Sequence, residues 1–332
     1  IQQAIDAYRP TEPATVVPTL VAARKELLKL PDSYWKRVKL EELQDVIQSA
    51  MGLYLEVKAS DYSAAPGQPV TLQVEAINRS AAAVTLQRIK YSFNTDTTLN
   101  TTLKYNEPLR YGTTKVLPQD MAYSQPYWLR KPGTLGMFAV EGQQEVGQAE
   151  NAPAAQAVFS LLVAGEPLQL TVPVVYKRTD PVEGEVYRPF VVTPPVFVNL
   201  KEQVYMFASQ EPKQVQVLVK AGKDNIKGEL KLDLPKGWRA EPAAVPFDLA
   251  AKGAEQQIAF TVYPPKKQQE AQLQAVATVA GKSYSSGLNE ITYSHIPAQV
   301  TFPEATAKVV KLDLQKRGEK VAYLMGAGDD IP

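Results

Sequence analysis

Apolar and polar positions along the chain follow two periods, and the change between them divides the sequence. In Val17 to Leu30, the residues Leu20, Val21, Leu27 and Leu28 recur at helical spacing, with Pro18 suited to a first turn and Pro31 to a stop. From Lys39 to Met51, the residues Leu43, Val46, Ile47, Ala50 and Met51 fall at i, i+3, i+4, i+7 and i+8. Gly52 follows where a left-handed C-terminal residue is wanted. Two helices this short bury too little apolar surface to stand alone, so the pattern predicts that they pack on a neighbour.

From Leu53 the period is two. Val70, Leu72, Val74 and Ala76 alternate with Thr71, Gln73 and Glu75, and Leu168, Leu170, Val172 and Val174 repeat the pattern further on. Such alternation predicts half-buried antiparallel strands and a β-sandwich over 53–180, with the less regular stretch 94–156 holding long loops. Four prolines in 181–195 predict a stiff, extended connector. A second alternating block over 196–295 carries Val215, Val217 and Val219, then Leu230, Leu232 and Leu234, then Ile258, Phe260 and Val262, then Leu273 to Val279. Turns at Gly222–Asn225 and Pro235–Gly237 separate these runs, which suits a compact immunoglobulin-like module. In 296–332, a strand through Val310, Leu312 and Leu314 precedes an apolar run from Val321 to Met325 that enters Gly326-Ala327-Gly328. Many α/β domains open this way, so that stretch is expected to begin a further domain. The whole predicts a mainly β chain: a helical lead-in over 1–52, then two immunoglobulin-like β-sandwiches.

Composition narrows the chemistry. With 36 basic and 35 acidic side chains the net charge is +1, so no field of one sign draws nucleic acid. The absence of cysteine excludes disulfides, Cys-zinc sites and thiol nucleophiles. His295 is the single histidine, and a catalytic zinc usually takes two or three His or Cys ligands, so no zinc or other cofactor is expected within these residues. No apolar run approaches the ~18 residues needed to span a bilayer. The start at Ile1 and the end at Pro332 both look cut, and the chain is expected to be part of a longer protein.

Four places invite a functional reading. Tyr123, Tyr127 and Trp128 form the densest aromatic cluster, suited to stacking on the C–H faces of a sugar or, equally, to packing inside a domain. Trp238 reads as core. Asp180, Glu183 and Glu185 are three acids in one turn. They suit pairing with Lys177, Arg178 and Arg188, or a calcium ion held by oxygen ligands, or the acid and base of glycoside hydrolysis. His295 reads as a junction residue or a general base. Gly326 to Asp330 reads as a tight turn or the start of a phosphate loop, although acids directly after the glycines would repel a phosphate.

The runs Ser124-Gln125-Pro126-Tyr127-Trp128-Leu129 and Tyr176 to Pro189 resemble the middle of large PIG-L/LmbE-type deacetylase proteins of Bacteroidetes-like bacteria. The runs Tyr293 to Gln299 and Tyr323 to Asp330 look similar to the same family. Leu230 to Pro264 is similar to a β-sandwich found beside carbohydrate-binding modules in some α-galactosidases. The resemblance implies a segment that follows an N-terminal catalytic domain and leads into a C-terminal α/β domain, both expected as partners, with glycans a further candidate. In that family the catalytic domain holds zinc through a His-Pro-Asp-Asp motif and a distant histidine and acts on N-acetylglucosamine-type substrates. No such run occurs here, so no catalytic residue carries over. The resemblance also implies export. Its rivals are a carbohydrate-binding module acting alone, an independent hydrolase using the three acids, and a structural surface or adhesion protein.

Overall fold

The computed structural model describes every residue except 94, 316, 321 and 329–332. It is mainly β, with 46% of residues in strands against 13% in helices, and its β-sheets follow a short N-terminal helical segment. Two compact units divide the chain: Ile1–Pro195 with Leu288–Phe302, and Val196–Gly287 with Pro303 onward.

The first unit begins with α1 (Gln2–Ala7), α2 (Val17–Leu28) and α3 (Tyr34–Met51). α3 starts a turn and a half before the predicted Lys39, because Ser33 caps it: its Oγ accepts the Lys36 N–H at 3.1 Å. Gly52 closes it at φ 56°, the left-handed geometry that its lack of a side chain permits. As predicted, the pair packs on a neighbour: Val17, Leu20, Val21, Ile47 and Met51 share one core with the sandwich. Arg24 donates to Pro167 O at 3.0 Å, and Lys25 pairs with Glu166 at 2.7 Å.

Strands β1 (Tyr54–Ala59), β2 (Ser63–Ala64), β3 (Pro69–Ile77), β4 (Val84–Tyr91), β5 (Thr95–Thr102), β6 (Leu109–Val116), β7 (Gln156–Val163), β8 (Glu166–Asp180), β9 (Gly184–Pro189) and β10 (Val191–Val192) follow. Their hydrogen-bonded order is β5-β4-β7-β8-β1-β3-β6, with β9 on β8 and β10 beside β2. β8 changes partner along its length. Residues 166–173 pair with β7, and from Val174 the strand runs parallel to β1. Pro173, with no N–H to donate, stands at the change-over. The alternating residues of β3 and β7 point inward: Val70, Leu72, Val74 and Ala76 meet Ala157, Phe159, Leu161 and Val163 in the core.

The second unit contains β11 (Val196–Leu200), β12 (Val204–Phe207), β13 (Lys213–Ala221), β14 (Ile226–Asp233), β15 (Arg239–Glu241), β16 (Ala244–Leu249), β17 (Glu255–Tyr263), β18 (Gln269–Val279) and β19 (Lys282–Tyr284). β20 (Asn289–Ile291) and β21 (Gln299–Thr301) form a hairpin belonging to the first unit, and β22 (Thr306–Lys311) completes the second. One sheet runs β11-β13-β17-β15 and the other β12-β22-β18-β14-β16, with β19 on β18. The four predicted apolar runs are β13, β14, β17 and β18, and their inward residues line a single core.

Three boundaries differ from those predicted. The 181–195 stretch is no spacer: β9 and β10 lie in it, and Phe190, Val191, Val192 and Thr193 are buried. The predicted 196–295 module loses Leu288 onward to the first unit. The stretch expected to open a further domain at 296 belongs to the two units through Lys311, since β21 pairs with β20 and β22 pairs with β12 and β18. Leu312 and Leu314 lie beyond β22, and the described residues 322–325 form no strand. The turn reading of Gly326 to Asp330 ends on Asp329 and Asp330, which lie outside the described residues.

Candidate functional site

Between β6 and β7 the chain runs from 117 to 155 without a named strand, broken by one 3-10 turn at Tyr127–Leu129. Tyr127 is buried and fixed at both ends: its N–H donates to Asn151 Oδ1 at 2.9 Å and its hydroxyl to Gln148 O at 3.0 Å. Trp128, half-buried, meets the Tyr127 ring edge-on with centroids 4.9 Å apart. The three predicted aromatics therefore do not form one open face. Tyr123 alone is well exposed, edge-on to Phe302 at 5.9 Å.

Tyr123 stands on a cleft of about 270 Å³ built from four stretches of the first unit, 121–126, 150–154, 189–191 and 298–300. Polar bonds stitch the stretches together. Ser124 N–H donates to Val192 O at 2.8 Å, and Val192 N–H donates to Ser124 Oγ at 2.9 Å. Asn151 Nδ2 donates to Gln125 O, and Phe302 N–H donates to Gln125 Oε1 at 2.9 Å. The Arg188 guanidinium lies 3.7 Å from the Tyr62 ring centroid and pairs with Glu290 at 2.5 Å, holding the β20–β21 hairpin. Arg130 and Glu150 supply a cation and a carboxylate at the rim, Arg130 already paired with Glu145 at 3.1 Å. An open aromatic ring beside charged hydrogen-bonding groups suits a small polar ligand with an apolar face.

The three acids sit where β8 turns into β9. Asp180 Oδ1 accepts the N–H groups of Val182 at 2.9 Å and Glu183 at 3.1 Å, and Oδ2 pairs with Arg178 at 2.7 Å. Arg178 first, then the two N–H groups, hold the Asp180 carboxyl down at about 2. Glu185 pairs with Lys177 at 3.2 Å. Asp180 is thus engaged by the turn itself and by Arg178, and Glu185 by Lys177. Among the described residues, no group of three or more His, Cys, Asp or Glu is placed to hold a metal. The calcium reading therefore gains no assembled site among the described residues.

One polar cluster escaped the sequence reading. On β1, Glu56 is buried, and its Oε1 accepts the hydroxyls of Tyr54 at 2.8 Å and Tyr187 at 2.9 Å and meets Lys177 Nζ at 3.2 Å. Burial by itself would raise the Glu56 carboxyl, but the two hydroxyls and Lys177 together outweigh it and hold it below its ordinary value. Burial pushes the Tyr54 hydroxyl up, and its bond to Glu56 pushes it further. Oε2 is buried with no hydrogen-bond partner. No spacing links residues 54, 56, 177 and 187. The one legible hint was a glutamate at the centre of an otherwise buried strand.

His295 is exposed in the turn between β20 and β21, stacked on Tyr293 with centroids 5.8 Å apart. Trp238 is core, as read. Its Nε1 donates to Gln269 Oε1 at 3.0 Å, and its ring meets Phe207 edge-on.

No family model matches the chain, and no curated protein matches it. Among solved structures, a Salmonella alpha-2-macroglobulin mutant is similar over 78% of this chain at 11% identity and a TM-score of 0.26, so the chain spans only 16% of its length. A protein of unknown function from Porphyromonas gingivalis W83 is similar over 78% of this chain and 98% of its own, at 8% identity and a TM-score of 0.20. The Dpr2 Ig1-Ig2 complex with DIP-Theta Ig1-Ig3 gives 12% identity, 77% and 100% coverage, and a TM-score of 0.20. Likeness this slight says nothing of function.

Proposed function

We propose that the chain is a non-catalytic accessory region: two β-sandwich modules that space and dock a zinc-dependent, PIG-L/LmbE-type sugar deacetylase whose catalytic residues lie outside it. One observation supports this reading more than any other. Three of the runs that carry the resemblance are distant in sequence, yet Ser124 to Pro126 of the first, Pro189 at the end of the second and Ala298 and Gln299 of the third line one cleft of the first unit. Residues that come together at one surface and bring no catalytic set suit docking better than turnover. Zinc, the acetylated substrate and export to the periplasm or cell exterior belong to the same proposal. Acetate release from N-acetylglucosamine substrates by the purified chain with added zinc tests it. The expected rate is that of the buffer blank, and turnover above it overturns the reading.

A second reading, glycan holding in its own right, is favoured by the exposed Tyr123 ring on the same cleft, with Arg130 and Glu150 at its rim. Binding on a glycan array that Tyr123→Ala abolishes would support it. A blank array would remove it.

A further inference from the structure

We propose that the helical segment of the first unit is a self-association face, on which two copies of the chain pack α1, α2 and α3 against each other about a two-fold axis. This inference stands apart from the accessory reading. α2 and α3 are joined by the short Lys29–Ser33 turn and pack against each other, as an αα-hairpin does. One face of the hairpin is spent on the sandwich core through Val17, Val21, Ile47 and Met51. Away from the sandwich lies an apolar groove of about 770 Å³, walled by Ile5 of α1 and Tyr8, by Leu27 of α2 and by Leu43 and Val46 of α3, with the core residues Leu20 and Ala50 at its base.

The lining residues Ile1, Ile5, Tyr8, Leu30 and Val46 are each 51% to 65% exposed. An enclosed acyl-chain pocket would bury its rim, so a broad occupant covers this groove better than a thin one. Those five side chains expose roughly 500 Å² per copy, and the half-buried Ala23, Leu27 and Leu43 add to it, against about 800 Å² per partner in a standard interface.

The rim charges name the occupant. Glu26 of α2 pairs with Lys29 at the start of the turn, and α3 carries Lys39 paired with Glu42, each at 2.7 Å. α2 runs towards the connecting turn and α3 away from it, so in both pairs the lysine lies nearer the middle of the turn than the glutamate. A two-fold axis across the hairpin therefore sets the lysine end of one copy against the glutamate end of the other. The apolar faces of the two copies then close on each other as the helices of a bundle do. A net charge of +1 leaves little repulsion between copies.

Sedimentation equilibrium of the full chain between about 1 and 200 µM tests the proposal. The expected result is a monomer–dimer equilibrium that doubles the 36.5 kDa mass. Val46→Glu, at an exposed position, should raise Kd at least tenfold with an unchanged circular dichroism spectrum. A double variant Lys29→Glu, Lys39→Glu should be monomeric alone, as should Glu26→Lys, Glu42→Lys, and the two should dimerise when mixed. A wild-type monomer throughout the range, or a dimer indifferent to Val46→Glu, or charge variants that fail to pair on mixing, would each overturn it.

Discussion

Replacing Glu56 by glutamine tests the reading of the buried cluster. The carboxylate takes two hydroxyl hydrogen bonds and one ammonium, all on Oε1, while its other oxygen is buried without a partner. Hydrogen bonds to a charged group are worth about 1.5–3 kcal/mol each, and breaking a buried ion pair costs about 3–5 kcal/mol. Two facts reduce the sum. Glutamine keeps an acceptor for the tyrosines, and Lys177 retains Glu185 at 3.2 Å. The expected loss is about 2–3 kcal/mol, a fall of roughly 4–12 °C in the melting temperature of a unit this size. Differential scanning calorimetry of the full chain reads it in the transition of the first unit.

The pH dependence has a definite sign. The folded Glu56 carboxyl lies below its ordinary value, so its contribution is present above about pH 5 and is lost as pH falls through the folded value. The gap between wild type and Glu56→Gln should be constant near neutrality and close in acid. Pairing Glu56→Leu with Lys177→Met should recover much of the loss, since removing both partners leaves no buried charge unpaired. A melting temperature unchanged within a degree, a gap that widens in acid, or a double variant worse than either single one would refute the argument.

Other substitutions follow from packing. An added Cβ at Gly228 would press on Thr278 O and lie 2.8 Å from Phe247 Cζ, so Gly228→Ala should cost about 1–3 kcal/mol in chemical denaturation of the second unit. Trp238→Ala empties a core position and frees Gln269, at about 3–5 kcal/mol by the same assay. Arg188→Ala removes both the Tyr62 stack and the Glu290 pair, and limited proteolysis should then cut faster within 292–297 than in wild type.

How much of this was legible depends on how local each signal was. The strands with clean apolar alternation, β3, β13, β17 and β18, were visible because each inward face repeats every second residue. α3 was visible from its stripe, though its start hid behind the cap at Ser33. β5 was not visible: Thr95–Thr102 alternates mostly polar residues and carries one leucine. The prolines of 181–195 misled in a simple way. Proline removes a donor, but β9 ends on Pro189 and β10 is two residues long, so the ladder needs few donors there. The return of 288–302 to the first unit and the meeting of Glu56 with Lys177 and Tyr187 are non-local. Periodicity reports which face a residue takes, and not which distant strand it faces.

The accessory reading makes one prediction that reaches beyond these residues. Reading the coding sequence on either side of the Ile1–Pro332 segment tests it most directly. The account predicts an upstream reading frame that encodes a His-Pro-Asp-Asp run and a further distant histidine. An upstream frame that encodes no such run would contradict it.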